Sequence, residues 1–466
     1  MPKPVARRQC HPNVVFLLTD QWRLQALGYA GNTQVKTPNI DQLARESTSF
    51  KHAISGYSVC CPWRASFLTG QYPLTHGVIV NDVPIAGDPV GLGDAFKKEG
   101  YNTAYIGKWH VDGRGRKTYI PPERRLGFDY FKALECTHDY NQSAYYDNDD
   151  PTMRFWDGYD VFAQTADARQ YIKSQSPEKP FMLVLSWGPP HNPYETAPTE
   201  FRELYDPADI KLRPNVPAET AADAREWLAG YYAHCSAIDQ SVGDIMATLD
   251  QSGLSENTVL IFASDHGDML GSHGWTRKQK PWEESIRVPF LLRYPAKYGR
   301  EGREVEPFLN AHDIMPTLLG VCDLPIPESV DGRDFSPSLV GESITGESPP
   351  RAYQNAHDNE GALLACFHPF GEWSRPVGGQ EYRGVRTASH TYCRTLAGPW
   401  LLYDNEVDPY QLYNLVGDAN YAETEAELEA QLQRALDAIG DDFLDGMSYI
   451  NRWGYPLDDT GTVPIR

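Results

Sequence analysis

Four apolar runs in the chain break off in residues that can titrate or bind a metal. Val14 to Leu18 runs into Asp20. The run in "NTAYIGKWH" ends at Lys108 and His110, and "PFMLVLSW" leads into "GPPHNPY" with His191. "NTVLIFASDHGD" ends in Asp265, His266 and Asp268. Continuous apolar runs of this length mark strands covered on both faces, as in a parallel sheet. Helical patterns separate them. "TPNIDQLARES" sets Ile40, Leu43 and Ala44 on one face behind Pro38. "VGLGDAFKKEGY" stops at Gly100, and "EWLAGYYAHCSAIDQSVGDIMATLDQSG" is a long amphipathic pattern closed near Gly253. The alternation predicts an α/β fold, in which sites form beyond the carboxyl ends of the strands. A polar residue at one strand end marks only where that strand stops. Four ends carrying Asp, His and Lys point to a site.

The pattern changes after about residue 345. "GESITGESPPR" reads as a linker. Beyond it "EYRGVRTASHTYCRTL" and "PWLLYDN" alternate as antiparallel strands do. "AETEAELEAQLQRALDAIG" then puts Leu428, Leu432, Leu436 and Ile439 on one helix stripe. The expected organisation is a catalytic domain over 1–345 and a smaller α+β unit over 346–466, with an irregular tail from Asn451.

At 466 residues the chain exceeds one simple core, and 41% hydrophobic residues suffice for two. A net charge of -21 argues against a general binder of nucleic acid or anionic membrane. An anionic substrate then needs a cationic pocket built against the global field. The eight cysteines include no Cys-x-x-Cys pair, so neither a structural zinc site nor a disulfide scaffold is expected. Val14–Leu18 is too short for a signal segment or a membrane span, and the expected location is cytoplasmic.

Asp20, Asp265 and His266 are candidate ligands for a hard divalent cation, and Gln21 could add an amide oxygen. Lys108, His110, His191 and Lys278 are candidates to surround an anion. "SVCCPWRASFLTG" is harder to place. Its adjacent Cys60 and Cys61 are compatible with a metal or disulfide pair, a buried turn into a helix, or a catalytic loop.

"LLTDQWR", "TPNIDQLARES", "CCPWRASFLTG", "GYNTAYIGKWH", "PHNPY", "SDHGDMLGSHG" and "EESIRVPFLLRYP" occur together and in order. "DIMPTLLGVCDLPIPESVDGRD" and "LYDNEVDPYQLYNL" extend the set. On these motifs the chain resembles a type I, formylglycine-dependent sulfatase of the alkaline-phosphatase-like superfamily. Its Asp20-Gln21 pair is the form found in choline-sulfatase-like and phosphonate-monoester-hydrolase-like members. The resemblance implies a large mixed, mostly parallel sheet flanked by helices, with a C-terminal α+β domain carrying an antiparallel sheet.

In that family the cysteine of Cys-x-Pro-Ser/Ala-Arg is oxidised to formylglycine by a dedicated maturation enzyme. Only Cys60 has proline two positions on and arginine four on; Trp63 departs from the usual small residue. An aldehyde hydrate carries two hydroxyls. One attacks sulfur, and proton loss from the other re-forms the carbonyl and expels sulfate. By resemblance Asp20, Gln21, residue 60, Asp265 and His266 hold the metal. Calcium is the family's commonest ion, and His266 keeps manganese and magnesium in play. Arg64 and Lys108 would hold the hydrate, and His110 would be the base that collapses its sulfate ester. His191 and Lys278 would bind sulfate and protonate the leaving alkoxide, with Arg277 and Lys280 as neighbours able to replace Lys278. Asn81, with His76 and Asp82, lies where the substrate pocket is often bordered. The expected reaction is sulfate-ester hydrolysis on a sulfated saccharide. A phosphonate or phosphate esterase on the same site, and a non-catalytic binder of sulfated ligands, are the alternatives. "YYDNDDPTMRFWDGYD" is expected to be either a sugar or aryl subsite or an ordered surface loop. A homo-oligomer is left open.

Overall fold

A computed structural model of the chain describes residues 11–176, 178–340, 360–459 and 461–464. The expected linker and domain junction lie outside the described residues. Ten strands form one sheet: β1 (Asn13–Asp20), β2 (Thr48–Ala53), β3 (Asn102–Lys108), β4 (Tyr130–Leu134), β5 (Ala144–Asp147), β6 (Asp150–Phe155), β7 (Phe181–Pro190), β8 (Thr258–Ser264), β9 (Phe290–Arg293) and β10 (Arg303–Leu309). Their order is β10-β2-β9-β8-β1-β7-β3-β4-β5-β6. The four apolar runs read from the sequence are β8, β1, β7 and β3, adjacent and mutually parallel at the centre. β9 pairs antiparallel with both β8 and β2, and β5 with both β4 and β6, so the sheet is mixed.

Burial explains why these runs are continuous. β1, β7 and β8 are buried along their whole lengths. Val15 and Leu17 of β1 face one core, while Val14, Phe16 and Leu18 face the other, as a period of two requires. Each such side chain contributes about 1.5–3 kcal/mol when fully buried. α1 (Pro38–Arg45), α3 (Asp160–Ser174) and α4 (Ala221–Gln251) cover the first face; α2 (Cys60–Thr69) and α5 (Ala311–Val321) cover the second. α2 ends at Gly70, whose φ of 67° is the left-handed cap that glycine adopts without strain. Trp63 of α2 is 2% exposed, and its ring lies 5.5 Å from that of Phe67. It fills core between helix and sheet, which accounts for the large residue in this motif.

Four further strands, β11 (Gly361–Cys366), β12 (Tyr382–Thr387), β13 (His390–Thr395) and β14 (Gly398–Asp404), form an antiparallel sheet in that order. α6 (Ala422–Ile439) lays Leu428, Leu432 and Leu436 against Leu363, Val385, Tyr392 and Leu402. The other face packs on Ile54, Met269, Trp282, Ile286 and Phe308 of the larger body. Ala365 N–H donates to Gly56 O at 2.8 Å, just ahead of α2.

Two readings change. The polar aromatic insertion is not a loop along its length, because β5 and β6 form a hairpin at the sheet edge through Asn148, whose φ is 52°. The tail is not wholly irregular: α7 (Gly446–Trp453) includes Asn451 to Trp453 and packs Tyr449 and Ile450 into the core. β11 was not read from the sequence at all. The seven described cysteines are free and buried. No helix among the described residues is long and apolar enough to cross a membrane.

Replacing Trp63 with alanine should cost about 3–5 kcal/mol of stability, read as a lowered urea midpoint. A pH dependence follows from two buried histidines. His76 accepts Val78 N–H on Nδ1 (3.1 Å) and donates from Nε2 to Ser66 Oγ (2.9 Å). Burial pushes His76 down to about 3, and burial also pushes His234 down to about 4. The unfolded chain therefore binds more protons than the folded one below the ordinary histidine range. Each histidine should remove up to about 1.4 kcal/mol of stability per pH unit as pH falls from 6.5 towards its folded value. His76→Asn, which keeps an acceptor for Val78, should flatten that slope in urea titrations between pH 7 and 4.

Candidate active site

The carboxyl ends of the four central strands bring the chemistry together. Asp20 ends β1, Lys108 ends β3, His191 follows β7 and Asp265 follows β8. Cys60 is the first residue of α2, entered from extended Val59. Arg64 is one turn further on, so it shares the Cys60 face of the helix, while Cys61 and Trp63 point elsewhere.

Arg64 is fully buried. It donates from Nη1 to Lys108 O (3.0 Å) and Ser186 Oγ (2.8 Å), and Nη2 lies 3.2 Å from Asp20 Oδ2 and from Asp265 Oδ2. Lys108 Nζ donates to Asp20 Oδ2 at 2.5 Å. Burial opposes the Asp20 charge, but the cations led by Lys108 outweigh it and hold the carboxyl well below the usual range. Burial, and then the Asp20 charge, push Asp265 up to about 6.

Lys278 uses all three of its N–H groups. Nζ lies 3.2 Å from Cys60 Sγ, 3.0 Å from Gln21 Oε1 and 2.9 Å from His191 Nε2. This contact favours Lys278 over its neighbours as the cation at Cys60. Arg277 donates instead to Tyr194 Oη at 2.7 Å, and Lys280 sits over the Trp275 and Trp373 rings. His191 Nδ1–H donates to Asn192 O at 2.9 Å, leaving Nε2 to accept from Lys278. Burial, and then Lys278, push His191 well down, so its imidazole is neutral. Burial and Asp20 raise the Cys60 thiol, but Lys108, Lys278 and His266 outweigh them and hold it well down.

Ligand atoms of Asp20, Cys60, Asp265 and His266 all lie within 4.8 Å of one another, and all four residues are buried. His266 donates from Nδ1 to Gly267 O at 3.0 Å, which turns Nε2 towards the cluster, 3.2 Å from Cys60 Sγ. Asp265 Oδ2 accepts no hydrogen bond and has only its ion-pair contact with Arg64 Nη2. Two buried carboxylates sharing one site repel, and a divalent cation relieves that repulsion; the donor set fits one. Gln21 stands at the edge, with Oε1 on Lys278 and Nε2 donating to Asp268 Oδ2 at 2.6 Å.

Two expected residues make no hydrogen bond to Cys60 itself. Asn81 Oδ1 accepts Cys61 N–H at 3.0 Å, so it caps the first turn of α2. His110 Nε2 lies 3.2 Å from Asp82 Oδ1, with no hydrogen bond to Cys60. His138 was missed by the sequence reading. Its ring stacks on His191 at 4.5 Å and 5°, with Cys136 Sγ 3.7 Å from its Nε2. The signal was present: "YFKAL" running into "ECTHDY" repeats the pattern of the other four strands, and β4 pairs with β3.

Residues 12–324 match the family model described as sulfatase, and residues 271–438 match that of the C-terminal part of N-sulphoglucosamine sulphohydrolase. The chain is 44% identical over 450 residues to an ulvan-active sulfatase of Formosa agariphila, covering 95% of this chain and 84% of that one. A structure from work on glycosaminoglycan metabolism by Bacteroides thetaiotaomicron superposes with a TM-score of 0.81 at 30% identity, covering 95% and 99% of the two chains. A phosphonate monoester hydrolase of Agrobacterium radiobacter gives 0.73 at 25% identity, covering 98% and 100%. With four buried ligand groups and a cationic ring around Cys60, the chain belongs to the sulfatase family of the alkaline-phosphatase-like superfamily and is a sulfuric ester hydrolase.

Proposed function

We propose that this sulfatase releases sulfate from a sulfated saccharide, with Cys60 in its formylglycine form. One observation carries the substrate class: the relative 44% identical over nearly the whole chain is an ulvan-active sulfatase. A maturation enzyme reading Cys60, Pro62 and Arg64 makes the aldehyde. Its hydrate supplies one hydroxyl that attacks sulfur and a second whose proton loss lets the ester collapse.

The other roles belong to side chains in the site. Arg64 and Lys108 balance the buried carboxylates and hold residue 60 in line. Lys278 and His191 bind the sulfate oxygens, and this hydrogen-bonded pair delivers the proton to the leaving alkoxide. His110 takes the proton of the second hydroxyl. Asp20, Asp265, His266 and residue 60 would hold the divalent metal, and Gln21 would join them by releasing Lys278. A cation held there would supply the charge that polarises a sulfate oxygen and acidifies a hydroxyl. The carboxylate-rich donor set favours Ca²⁺. A second reading, a phosphonate or phosphate esterase on the same residues, is favoured by the likeness to the phosphonate monoester hydrolase.

Sulfate release from ulvan and glycosaminoglycan oligosaccharides should exceed turnover of phosphonate monoesters and phosphodiesters in kcat/KM. A phosphonate turned over faster than every sulfated saccharide would reverse that order. Metal content is a separate test. The wild type should hold one divalent ion by elemental analysis, and Asp265→Asn should lose it together with at least about 100-fold in kcat. Retained calcium in the variant would remove Asp265 from the ligand set.

A further inference from the structure

The loop over Asn81 and Asp82 joins the start of α2 to the His110 loop. Asn81 Oδ1 accepts Cys61 N–H, and Asp82 N–H points at Cys61 Sγ at 3.3 Å. The Asp82 carboxylate is gripped by Arg116, Nε to Oδ1 at 2.9 Å and Nη2 to Oδ2 at 2.8 Å. Its Oδ1 also faces His110 Nε2 at 3.2 Å. Asp82 and His110 both have positive φ, 63° and 61°, for which a non-glycine residue needs a holding environment.

An ionised carboxylate only accepts, so the imidazole nitrogen facing it must carry hydrogen. Burial opposes the Asp82 charge, but hydrogen bonds from Arg116 and His110 outweigh it and keep the carboxyl ionised. Nε2–H is thereby fixed on Asp82, and Nδ1 is the only ring nitrogen left to exchange a proton. Nδ1 is buried and makes no hydrogen bond within the described protein.

We propose that Asp82, braced by Arg116, is a positioning residue for His110, fixing the tautomer in which Nδ1 holds the lone pair that takes the hydrate's proton. The inference rests on reading His110 as the proton acceptor. The proton leaves the hydroxyl oxygen for Nδ1, the C–O bond to sulfate breaks, and sulfate departs with the electron pair as the carbonyl re-forms. Burial opposes the imidazolium, but Cys61, Cys136 and the hydrogen bond to Asp82 outweigh it and hold His110 well above the ordinary histidine range, so Nδ1 sheds a proton before it acts as acceptor; Lys108, Glu135 and Arg116 also face this cluster. Burial pushes the Cys61 thiol up and outweighs the opposing charge and hydrogen bond of His110, so the thiol stays neutral and Asp82 is the anion at the ring.

Asp82→Asn separates orientation from bulk. Arg116 would claim the amide oxygen and turn the NH2 group to the ring, stabilising the tautomer with hydrogen on Nδ1. The expected result is a kcat loss of at least about 100-fold, as for the orienting carboxylate of a hydrolytic triad, with KM within about threefold. Losing the anion also weakens the imidazolium, so the rising limb of the kcat profile should move to lower pH. Asp82→Glu should recover part of kcat, and Arg116→Gln should show a smaller loss of the same kind. His110→Ala and the double variant His110→Ala/Asp82→Asn should have equal kcat, because Asp82 acts only through His110.

Formylglycine occupancy by intact mass, metal content and thermal midpoint should match the wild type in Asp82→Asn. A kcat near wild type in that variant, or losses that multiply in the double variant, would overturn the proposal while leaving His110 as the acceptor. Loss of metal or formylglycine with kcat would make Asp82 merely structural and overturn it too. A wild-type kcat in His110→Ala would remove the acceptor itself, and the proposal with it.

Discussion

One guanidinium reaches all four central strands, or the residue just beyond them. Arg64 meets Asp20 of β1, the Lys108 carbonyl of β3, Ser186 of β7 and Asp265 beyond β8. Planar and charged at every working pH, it can serve several acceptors from one fully buried position. Breaking a buried pair of this kind costs about 3–5 kcal/mol, because the partner charge is stranded. The helix register then carries the constraint to Cys60, one turn away on the same face. The placing of the reactive residue and the neutralisation of the carboxylates are therefore one interaction. Lys108 and Lys278 complete a cationic ring inside a chain whose net charge is -21. That ring is held by particular contacts rather than by the overall field.

The centre of the fold was legible because its strands are buried on both faces. Burial on both faces forces continuous apolar runs, and the runs end at functional residues for the topological reason common to open α/β sheets. What was hidden belongs to weaker constraints. β5 and β6 lie at an edge where five of six β6 residues are exposed, so no core disciplined their pattern. β4 is only five residues long, which hid His138 from a reading that sought longer runs. Asn81 and Asp82 were marked as pocket-bordering, but their partners, Cys61 N–H and Arg116, are set by loop geometry that a linear pattern does not carry. Spacing from His273 and from "PWEES" singled out Lys278, but it could not show where Arg277 and Lys280 go. Alternating backbone directions around Gln279, whose φ is 73°, send these neighbours to different places.

The tandem cysteines illustrate how one position can separate two identical side chains. On a helix, adjacent residues point about 100° apart, so Cys60 enters the polar cluster while Cys61 joins the apolar core. Trp63 lies on that apolar side and packs on Phe67. A small residue there would leave volume to be filled by some other group. The motif's departure from its relatives is a matter of packing and leaves the polar face untouched. The C-terminal sheet adds a brace, since its Ala365 bonds to Gly56 just ahead of the reactive turn.

Lys278 has consequences for affinity. Its three donors are already satisfied by Cys60, Gln21 and His191. An arriving ester oxygen must displace one of these acceptors, so docking exchanges one hydrogen bond for another of similar strength. Such a lysine discriminates little in favour of the resting ester. Its attraction grows only when negative charge builds on the departing oxygen, which none of the resident acceptors can match. The internal bonding of the pocket thus tempers ground-state grip and reserves the ammonium for the moment of bond cleavage.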